Sequence, residues 1–163
     1  MKHSIYILTG SNLGDKKQYL LTARNELSKR IGTLIKESSL YESEPWGFTS
    51  EDSFLNQVLL YETCLSPHEI LEITQQIEYE NGRVRTGNGY TSRNLDIDIL
   101  FYDDLIIHSD NLTIPHPRLH ERKFTLLPLN EIAPNFVHPV IKSDIANILN
   151  TCEDKSIVNK IQN

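Results

Sequence analysis

The sequence predicts an α+β fold built on an antiparallel sheet, and three observations support this prediction. The chain has 163 residues with 39% hydrophobic content, which fits one domain with its own core. Segments with strand periodicity and segments with helix periodicity follow one another along the first hundred residues. Their order is strand, helix, strand, strand, helix, strand. No internal repeat or linker interrupts this order, so we predict a single domain over residues 1–163.

The first half of this core is predicted to contain three strands and one helix. The apolar run "SIYIL" (4–8) is typical of a buried strand and ends at the turn "TGSNLGD". A helix is predicted over residues 16–30, where apolar side chains recur at helical spacing. Two further strands are predicted, "TLIKESSLYE" (33–42) and "FLNQVLLYET" (54–63), with the loop "SEPWGFTSEDS" between them.

The second half of the core is predicted to be a helix and a strand. The helix should begin at Ser66, because Ser at the N-cap, Pro next and Glu three residues after the cap form a start signal. It should end near Gly82, and a strand follows the loop "RTGNGYTS". The complete order is the βαββαβ plan of ferredoxin-like domains. The predicted C-terminal additions are a hairpin-like piece at 105–108, a short helix within "TIPHPRLHERKFTLLPL" and a last helix near 144–150.

The last strand of the core, within "RNLDIDILFYDD", carries two carboxylates. Its alternating apolar residues predict one buried face: Leu95, Ile97, Ile99 and Phe101. Asp96 and Asp98 then share the other face, with Cα atoms about 6.5–7 Å apart. Two carboxylates so placed can bind two Mg²⁺ ions that also hold phosphate oxygens. The alternative is a solvent-facing strand on which charge prevents aggregation.

The charge distribution indicates a phosphate site and argues against nucleic acid. The formal net charge is −6, which disfavours a general nucleic-acid binder. Five of the seven arginines fall near the aspartate pair: Arg83, Arg85, Arg93, Arg118 and Arg122. An acidic chain that gathers arginines beside carboxylates is suited to holding phosphate and metal together. The alternative is a solvated loop with incidental charge.

Compartment and membrane association can also be predicted from the sequence. No run of eighteen apolar residues occurs, so we expect no membrane span. Gly10 and its polar neighbours interrupt the first apolar run early, which favours a first strand over a signal peptide. The two cysteines, Cys64 and Cys152, suggest no disulfide framework and fit a reducing cytoplasm.

The glycine turn "TGSNLGDKK" does not carry a nucleotide motif of its own. A Walker A loop needs four residues between its glycines and a Lys directly after the second. Here three residues separate Gly10 from Gly14, and Asp15 precedes Lys16. Nucleotidyltransferases also have glycine and serine after a first strand, but in that family the acidic Asp-x-Asp pair lies close to this turn in sequence. Here more than eighty residues separate the turn from Asp96, so the pattern is weak. Gly10 is equally well interpreted as part of a tight strand-to-helix turn.

Aromatic and amide side chains indicate a site for a flat heterocycle. Phe54 and Asn56 alternate on one strand and therefore point to the same face, while Phe124 lies far along the chain. Rings can stack on a heterocycle and an amide can bind its edge. The alternative is that both rings belong to the core. His116 and Arg122, in "IPHPRLHERKF", are candidates for phosphate contacts or ordinary surface residues.

Several motifs in one order resemble the 6-hydroxymethyl-7,8-dihydropterin pyrophosphokinases of folate biosynthesis. They are "GSNLGD", "YESEPWG", "FLNQV", "TQQIEYENGRVR", "SRNLDIDIL", "TIPHPRLHERKF" and "PLNEIAP". The resemblance implies the ferredoxin-like fold and transfer of the β,γ-diphosphate of ATP to the pterin hydroxymethyl group. It implies ATP and 6-hydroxymethyl-7,8-dihydropterin as substrates and two Mg²⁺ ions as cofactors. The chain departs from the family pattern at Tyr90, at "TSR" in place of "GPR", and at Pro117.

The resemblance also implies a role for individual positions. The Mg²⁺ ligands are Asp96 and Asp98. The pterin contacts are Ser43, Trp46, Phe54, Asn56 and Phe124. The ATP contacts are Gln75, Glu78, Arg85, Arg93, Ile99, His116 and Arg122. The catalytic arginines are Arg83, on a mobile loop, and Arg93. Loops 44–53 and 82–92 are expected to act as lids.

Two alternatives remain at this point. A ferredoxin-like module could bind nucleotide or RNA without catalysis, although the acidic charge and the aspartate strand oppose RNA. An ordinary kinase would transfer only the γ-phosphoryl group and differ in its product. We expect a cytoplasmic protein, monomeric, with no nucleic-acid or membrane partner.

Overall fold

The computed structural model describes residues 1–44, 53–82 and 94–161. Its strands and helices are β1 (His3–Ser11), α1 (Lys16–Arg30), β2 (Gly32–Glu37), β3 (Tyr41–Ser43), β4 (Phe54–Thr63), α2 (Pro67–Glu80), β5 (Asp96–Tyr102), β6 (Ile107–His108), β7 (Thr113–Ile114), α3 (Lys123–Ile132), α4 (Ile145–Thr151) and β8 (Val158–Lys160). Between helices α1 and α2 the chain forms three strands where two were predicted, and further elements follow β5. A short 3₁₀ helix, Leu119–Glu121, precedes α3.

The main sheet is antiparallel and has the strand order β5-β1-β4-β3-β8, with β2 also paired to β4. Strands β6 and β7 form a separate two-stranded sheet. The protein is therefore an α+β fold with an antiparallel sheet, as predicted. Among the described residues, no helix combines the length and the apolar character that crossing a membrane requires.

Helix α2 shows why its start could be predicted. The hydroxyl of Ser66 accepts a hydrogen bond from the N–H of Glu69, and the Glu69 carboxylate accepts one from the N–H of Ser66. This reciprocal capping box satisfies two N–H groups that the helix itself cannot. The helix ends at Glu80, slightly before the predicted Gly82.

The strand predicted at 33–42 is two strands, because Ser38 interrupts it. The Ser38 hydroxyl accepts a hydrogen bond from the N–H of Val58, and its carbonyl accepts one from the Gln57 amide. A serine that bonds a neighbouring backbone in this way competes with the regular ladder. The chain therefore leaves β2 at Glu37 and enters β3 at Tyr41.

The sheet has an apolar core on each face. The first core lies against α1 and α2 and includes Ile5, Ile7, Leu27, Ile77, Leu95, Ile97 and Ile99. The second core lies against α3 and α4 and includes Tyr6, Leu8, Val58, Phe101, Leu129 and Ile148. Alternate residues of β1 enter opposite cores, as strand geometry requires.

The buried face predicted for strand β5 is wrong at one residue, Phe101. Ile99 pairs with Ile7 and Phe101 with Tyr6, so Leu100 is an extra residue in β5. Such a bulge shifts the following side chains to the opposite face. Phe101 accordingly packs in the second core, with its ring centroid 4.6 Å from that of Phe136. Leu95, Ile97 and Ile99 share the first core, as predicted.

Candidate active site

A row of three directly paired residues crosses strands β5, β1 and β4. Asp96 pairs with Gly10, and Gly10 pairs with Asn56. A methyl group on Gly10 would lie 2.6 Å from the Asn56 side-chain oxygen, so a larger residue here would displace that amide. Gly10 thus belongs to β1 and separates the carboxylate from the amide, rather than forming the predicted turn. The positive-φ glycine of that turn is Gly14.

The two aspartates lie on the sheet face that α3 and α4 cover elsewhere. Asp98 pairs with Leu8, which belongs to the second core, and Asp96 lies two residues away on the same face. Both carboxylates are half-buried, whereas Ile97 between them is buried in the first core. Within the described ranges no group of three or more His, Cys, Asp or Glu could hold a metal. Two carboxylates suit a Mg²⁺ site that substrate phosphate oxygens complete.

Glu78 supports the aspartate strand from helix α2. Its side chain is 5% exposed, and its Oε2 accepts a hydrogen bond from the N–H of Ile97 at 2.8 Å. Glu78 therefore contacts the backbone between the two carboxylates. Gln75, three residues earlier on the same helix, is exposed.

His116 lies beside the bulge in β5, and its ring is neutral. The backbone N–H of His116 donates to the carbonyl of Leu100 at 3.0 Å, and the ring Nδ1 accepts from the backbone N–H of Arg118 at 3.2 Å. Burial and the charge of Arg122 lower the pKa of His116 to about 4, although Asp96 acts in the opposite direction. Because Nδ1 is an acceptor, the ring proton is on Nε2, which can donate to an anion.

Arg122 and Phe124 stand at the beginning of α3. The Arg122 side chain is 7% exposed, and its Cζ lies 5.6 Å from the centre of the Phe124 ring. This is within the range of a cation–π contact. Phe124 is half-buried and packs against the second core. A guanidinium and an aromatic ring are thus adjacent, and Arg122 and Asp96 both interact electrostatically with His116.

The amide end of the row is a buried polar pair. Asn56 is 3% exposed, and its Nδ2 donates to the hydroxyl of Ser43 at 3.3 Å. Ser43 pairs with Phe54 across β3 and β4, and the Phe54 ring is half-buried. The structure therefore brings together Ser43, Phe54 and Asn56, three of the residues predicted to contact the heterocycle.

The family comparison matches most of the chain. The model of the 7,8-dihydro-6-hydroxymethylpterin-pyrophosphokinase (HPPK) family matches residues 6–134. The chain belongs to this family. The match includes the aspartate strand, the Asn56 strand and the first residues of α3, which form the site described above.

Curated relatives agree with the HPPK family. The 2-amino-4-hydroxy-6-hydroxymethyldihydropteridine pyrophosphokinase of Porphyromonas gingivalis is 44% identical over 138 residues, covering 83% of this chain and 93% of that protein. The enzyme of the same name from Bacillus subtilis is 43% identical over 133 residues, covering 81% and 79%. The folic acid synthesis protein FOL1 of Dictyostelium discoideum is 46% identical over 138 residues. There the match covers 84% of this chain but only 20% of the relative. These matches support pyrophosphokinase activity in folate biosynthesis.

Solved structures show the same fold. A crystal structure of an HPPK-DHPS protein in complex with substrates superposes with a TM-score of 0.74 at 19% identity. It covers 93% of this chain and 43% of the larger one. The Plasmodium falciparum HPPK-DHPS wild type with pteroate gives 0.76 at 18% identity, covering 92% and 42%. At such identities the likeness concerns the fold alone.

Ile99, another predicted ATP contact, lies on β5 one residue after Asp98. Its side chain is 6% exposed and lies in the first core. Strand hydrogen bonds alternate in direction, and the N–H of Ile97 points away from β1 to Glu78. The main-chain groups of Ile99 should therefore point the same way, so that only its backbone can contact a ligand.

Some predicted HPPK site residues lie outside the described residues. They are Trp46, Arg83, Arg85 and Arg93. The same holds for residues 45–52 and 83–92 of the two predicted lid loops, and their roles stay predictions.

Sequence reasoning missed one polar cluster next to the site. The Glu131 carboxylate on α3 accepts hydrogen bonds from the Tyr41 hydroxyl at 2.7 Å and from the Ser39 N–H at 3.1 Å. Burial raises the pKa of Glu131, but these hydrogen bonds outweigh it and hold the pKa below its ordinary value. Glu131 thereby ties α3 to β3. The partners are about ninety residues apart in sequence, and no local pattern reveals such a contact.

Proposed function

We propose that the protein transfers the β,γ-diphosphate of ATP to the hydroxymethyl group of 6-hydroxymethyl-7,8-dihydropterin, giving AMP and the pterin diphosphate for tetrahydrofolate biosynthesis. The observation that carries this proposal is the row Asp96–Gly10–Asn56. It sets a carboxylate for the phosphate end beside a buried amide for the heterocycle, on one rigid sheet face. The names of the HPPK relatives support the same reaction.

The pterin end is formed by side chains that suit a flat, polar-edged ring. Phe54 and Phe124 offer half-buried aromatic faces for stacking. Asn56, with Ser43 fixing its orientation, offers an amide that can form hydrogen bonds with the pterin edge. A buried amide rejects rings that lack matching polar atoms, because its own polar groups would be left unpaired.

The phosphate end is formed by the aspartates and by cationic or neutral donors. Asp96 and Asp98 would hold two Mg²⁺ ions, which offset the charge of phosphate oxygens in the transition state. His116, neutral with its proton on Nε2, can donate to a phosphate oxygen, and the Arg122 guanidinium can pair with another. The family resemblance adds three arginines to this end: Arg83, Arg85 and Arg93.

The reaction needs positioning more than acid–base chemistry. The substrate hydroxyl attacks the β-phosphorus in line while AMP leaves. With its pKa lowered to about 4, His116 is a poor general base at neutral pH. Its part is then to orient a phosphate oxygen, while the pterin pocket holds the hydroxyl in line.

The proposal also includes a ferredoxin-like core, a nucleotide contact at Ile99, a cytoplasmic location and a monomeric state. The order β5-β1-β4, with β2 and β3 beside β4, supports a ferredoxin-like core. The outward backbone of Ile99 supports an edge contact with the nucleotide base. Free thiols at Cys64 and Cys152 support a reducing, cytoplasmic location. The monomeric state stays a prediction that light scattering would test.

Thermal melts distinguish the proposed enzyme from the alternative, a module that binds RNA without catalysis. The sheet face opposite α1 and α2 lies against α3 and α4, which disfavours the open, basic sheet that an RNA module needs. Mg²⁺–ATP should raise the melting temperature, whereas an oligonucleotide should not. A shift with the oligonucleotide alone would reject the enzyme.

A further inference from the structure

We propose that the C-terminal segment 152–161, here called the strap, positions the pterin side of the site, and that Asp154 is its main positioning residue. This inference rests on the function proposed above. The strap lies beyond residue 134, where the family match ends, so the HPPK motifs do not account for it. It contacts α3 and β3, which carry Phe124 and Ser43.

The first contact is at the start of α3. Arg122, the N-cap of this helix, makes no capping hydrogen bond with its side chain. Instead, Oδ2 of Asp154 accepts a hydrogen bond from the N–H of Lys123 at 2.9 Å. A carboxylate at this position satisfies an N–H that the helix leaves unpaired and complements the helix dipole. Asp154 therefore caps α3 from outside the helix.

The cap itself is held in a defined orientation. Oδ1 of Asp154 accepts from the N–H of Ser156 at 2.9 Å, and the Lys123 ammonium reaches the Ser156 carbonyl at 3.5 Å. Burial raises the pKa of Asp154, but the N–H groups of Lys123 and Ser156 outweigh it and keep the pKa below its ordinary value. The carboxylate is thus ionised at neutral pH.

The capped residue stands between two residues of the site. Lys123 separates Arg122, predicted to contact ATP, from Phe124, predicted to stack on the pterin. A helix whose first N–H is fixed cannot rotate or fray freely at its first turn. Asp154 therefore controls where the Phe124 ring faces the pterin without touching the substrate.

The second contact is along β3. Strand β8 pairs with β3, placing Val158 opposite Ser43, and the N–H of Ile161 donates to the carbonyl of Leu40 at 2.8 Å. Strand β3 has only three residues, so one ladder on each side largely defines its position. Ser43 in turn accepts the hydrogen bond from Asn56. The strap thus fixes the serine that orients the pterin-binding amide.

Together these contacts set the distance between the Phe124 ring and the Ser43–Asn56 pair. The aspartates lie on β5, at the opposite edge of the sheet from β8. Loss of the strap contacts should therefore weaken pterin binding much more than ATP binding, in which Arg122 at the start of α3 is predicted to take part.

The test compares Asp154→Ala with Glu153→Ala, which removes the adjacent exposed carboxylate. Affinity for 6-hydroxymethyl-7,8-dihydropterin is measured by calorimetry at saturating Mg²⁺ and a non-hydrolysable ATP analogue, and analogue affinity is measured separately. We expect Asp154→Ala to weaken pterin binding and raise the pterin KM by about tenfold, the scale of a lost helix cap. Analogue affinity should fall by a smaller factor than pterin affinity, because Arg122 adjoins the cap but the aspartates lie at the opposite edge of the sheet. Asp154→Asn, which keeps an acceptor oxygen, should recover part of the loss.

A second pair of variants tests the strand contact. Because the N–H of Ile161 points to β3, that of Asn159 should too, whereas that of Lys160 points away. Asn159→Pro should therefore weaken pterin binding more than Lys160→Pro does. If Asp154→Ala does not fold, this pair of variants tests the role of the strap in pterin binding.

The outcomes separate the strap from the function itself. A wild type that neither binds nor converts the pterin overturns the proposed function. If the wild type is active but Asp154→Ala and Glu153→Ala bind the pterin equally well, the proposed role of the strap is wrong. Equal losses for pterin and nucleotide would also overturn it, since they indicate general destabilisation.

Discussion

Glu78 and Ile97 are joined by a buried hydrogen bond of 2.8 Å, from the Ile97 N–H to the Glu78 carboxylate. Ile97 lies between Asp96 and Asp98 on β5, the edge strand of the sheet. An edge strand has backbone groups with no neighbouring strand to bond. Glu78 takes the place of that neighbour, so helix α2 supports the strand that carries both aspartates.

Removing this support should lower both stability and activity. Glu78→Ala leaves a buried N–H without its acceptor, which costs about 1–3 kcal/mol of unfolding free energy, and it loosens the aspartate strand. Glu78→Gln keeps an acceptor oxygen and should lose less. Urea unfolding and turnover assays measure both effects, with Glu72→Ala on the exposed face of the same helix as control. Full stability and full turnover in Glu78→Ala would contradict this role.

The aspartates themselves should be essential for turnover but not for folding. Asp96→Ala and Asp98→Ala should each cost several orders of magnitude in kcat, because each removes a carboxylate from the phosphate end. Without metal the variants should fold as well as the wild type or better, since like charges on one strand face repel. Mg²⁺–ATP should stabilise the wild type much more than either variant.

Thermal melts and turnover assays check this, with Asp104→Ala, an exposed carboxylate beyond β5, as control. A folded Asp96→Ala protein with near wild-type turnover would rule out the two-metal site.

The aromatic rings should matter for the pterin and not for ATP. Phe54→Ala or Phe124→Ala should weaken pterin binding by about 1–3 kcal/mol, the scale of stacking on a base. Fluorescence or calorimetric titration measures the two affinities. Tyr79→Ala, on an exposed ring of α2, should change neither. Unchanged pterin affinity in folded Phe54 and Phe124 variants would assign both rings to the core.

His138 should make the protein less stable in acid. Its Nδ1 accepts hydrogen bonds from the N–H groups of Val140 and Ile141, and burial, with His120 nearby, lowers its pKa to about 4. Below pH 6.5 the His138 imidazole is protonated in the unfolded chain but stays neutral in the folded protein. The free energy of unfolding therefore decreases as the pH is lowered from about 6.5 to 4. This group adds no further loss below pH 4.

His138→Asn keeps an acceptor near the same place but cannot titrate. Its unfolding free energy should therefore fall less between pH 6.5 and pH 4, by up to a few kcal/mol. Urea unfolding across this range measures the slope, and His108→Asn, on an exposed strand end, is the control. Equal slopes in wild type and His138→Asn would show that His138 does not cause the acid dependence.

The features that could be predicted from the sequence are local ones. The capping box of α2 and the alternation of Asp96 with Ile97 depend on residues within a few positions of each other. The features that could not be predicted join distant segments. The bulge at Leu100 depends on pairing with β1 and on His116, and it moved Phe101 to the other core. The pairing of β8 with β3 likewise has no local signal.

The site shows the same division between local and distant contacts. Phe54 and Asn56 could be placed on one face because they lie two residues apart. The pairing of Asn56 with Ser43, and of Asp96 with Gly10, depends on sheet register, which side-chain pattern alone does not fix.

The most direct test of the central claim is the identity of the nucleotide product. ATP, Mg²⁺ and 6-hydroxymethyl-7,8-dihydropterin are incubated with the protein, and the products are separated and quantified. Attack at the β-phosphorus predicts AMP and pterin diphosphate in equal amounts. ADP with a pterin monophosphate would contradict diphosphate transfer and indicate an ordinary kinase, and no product at all would contradict the enzyme.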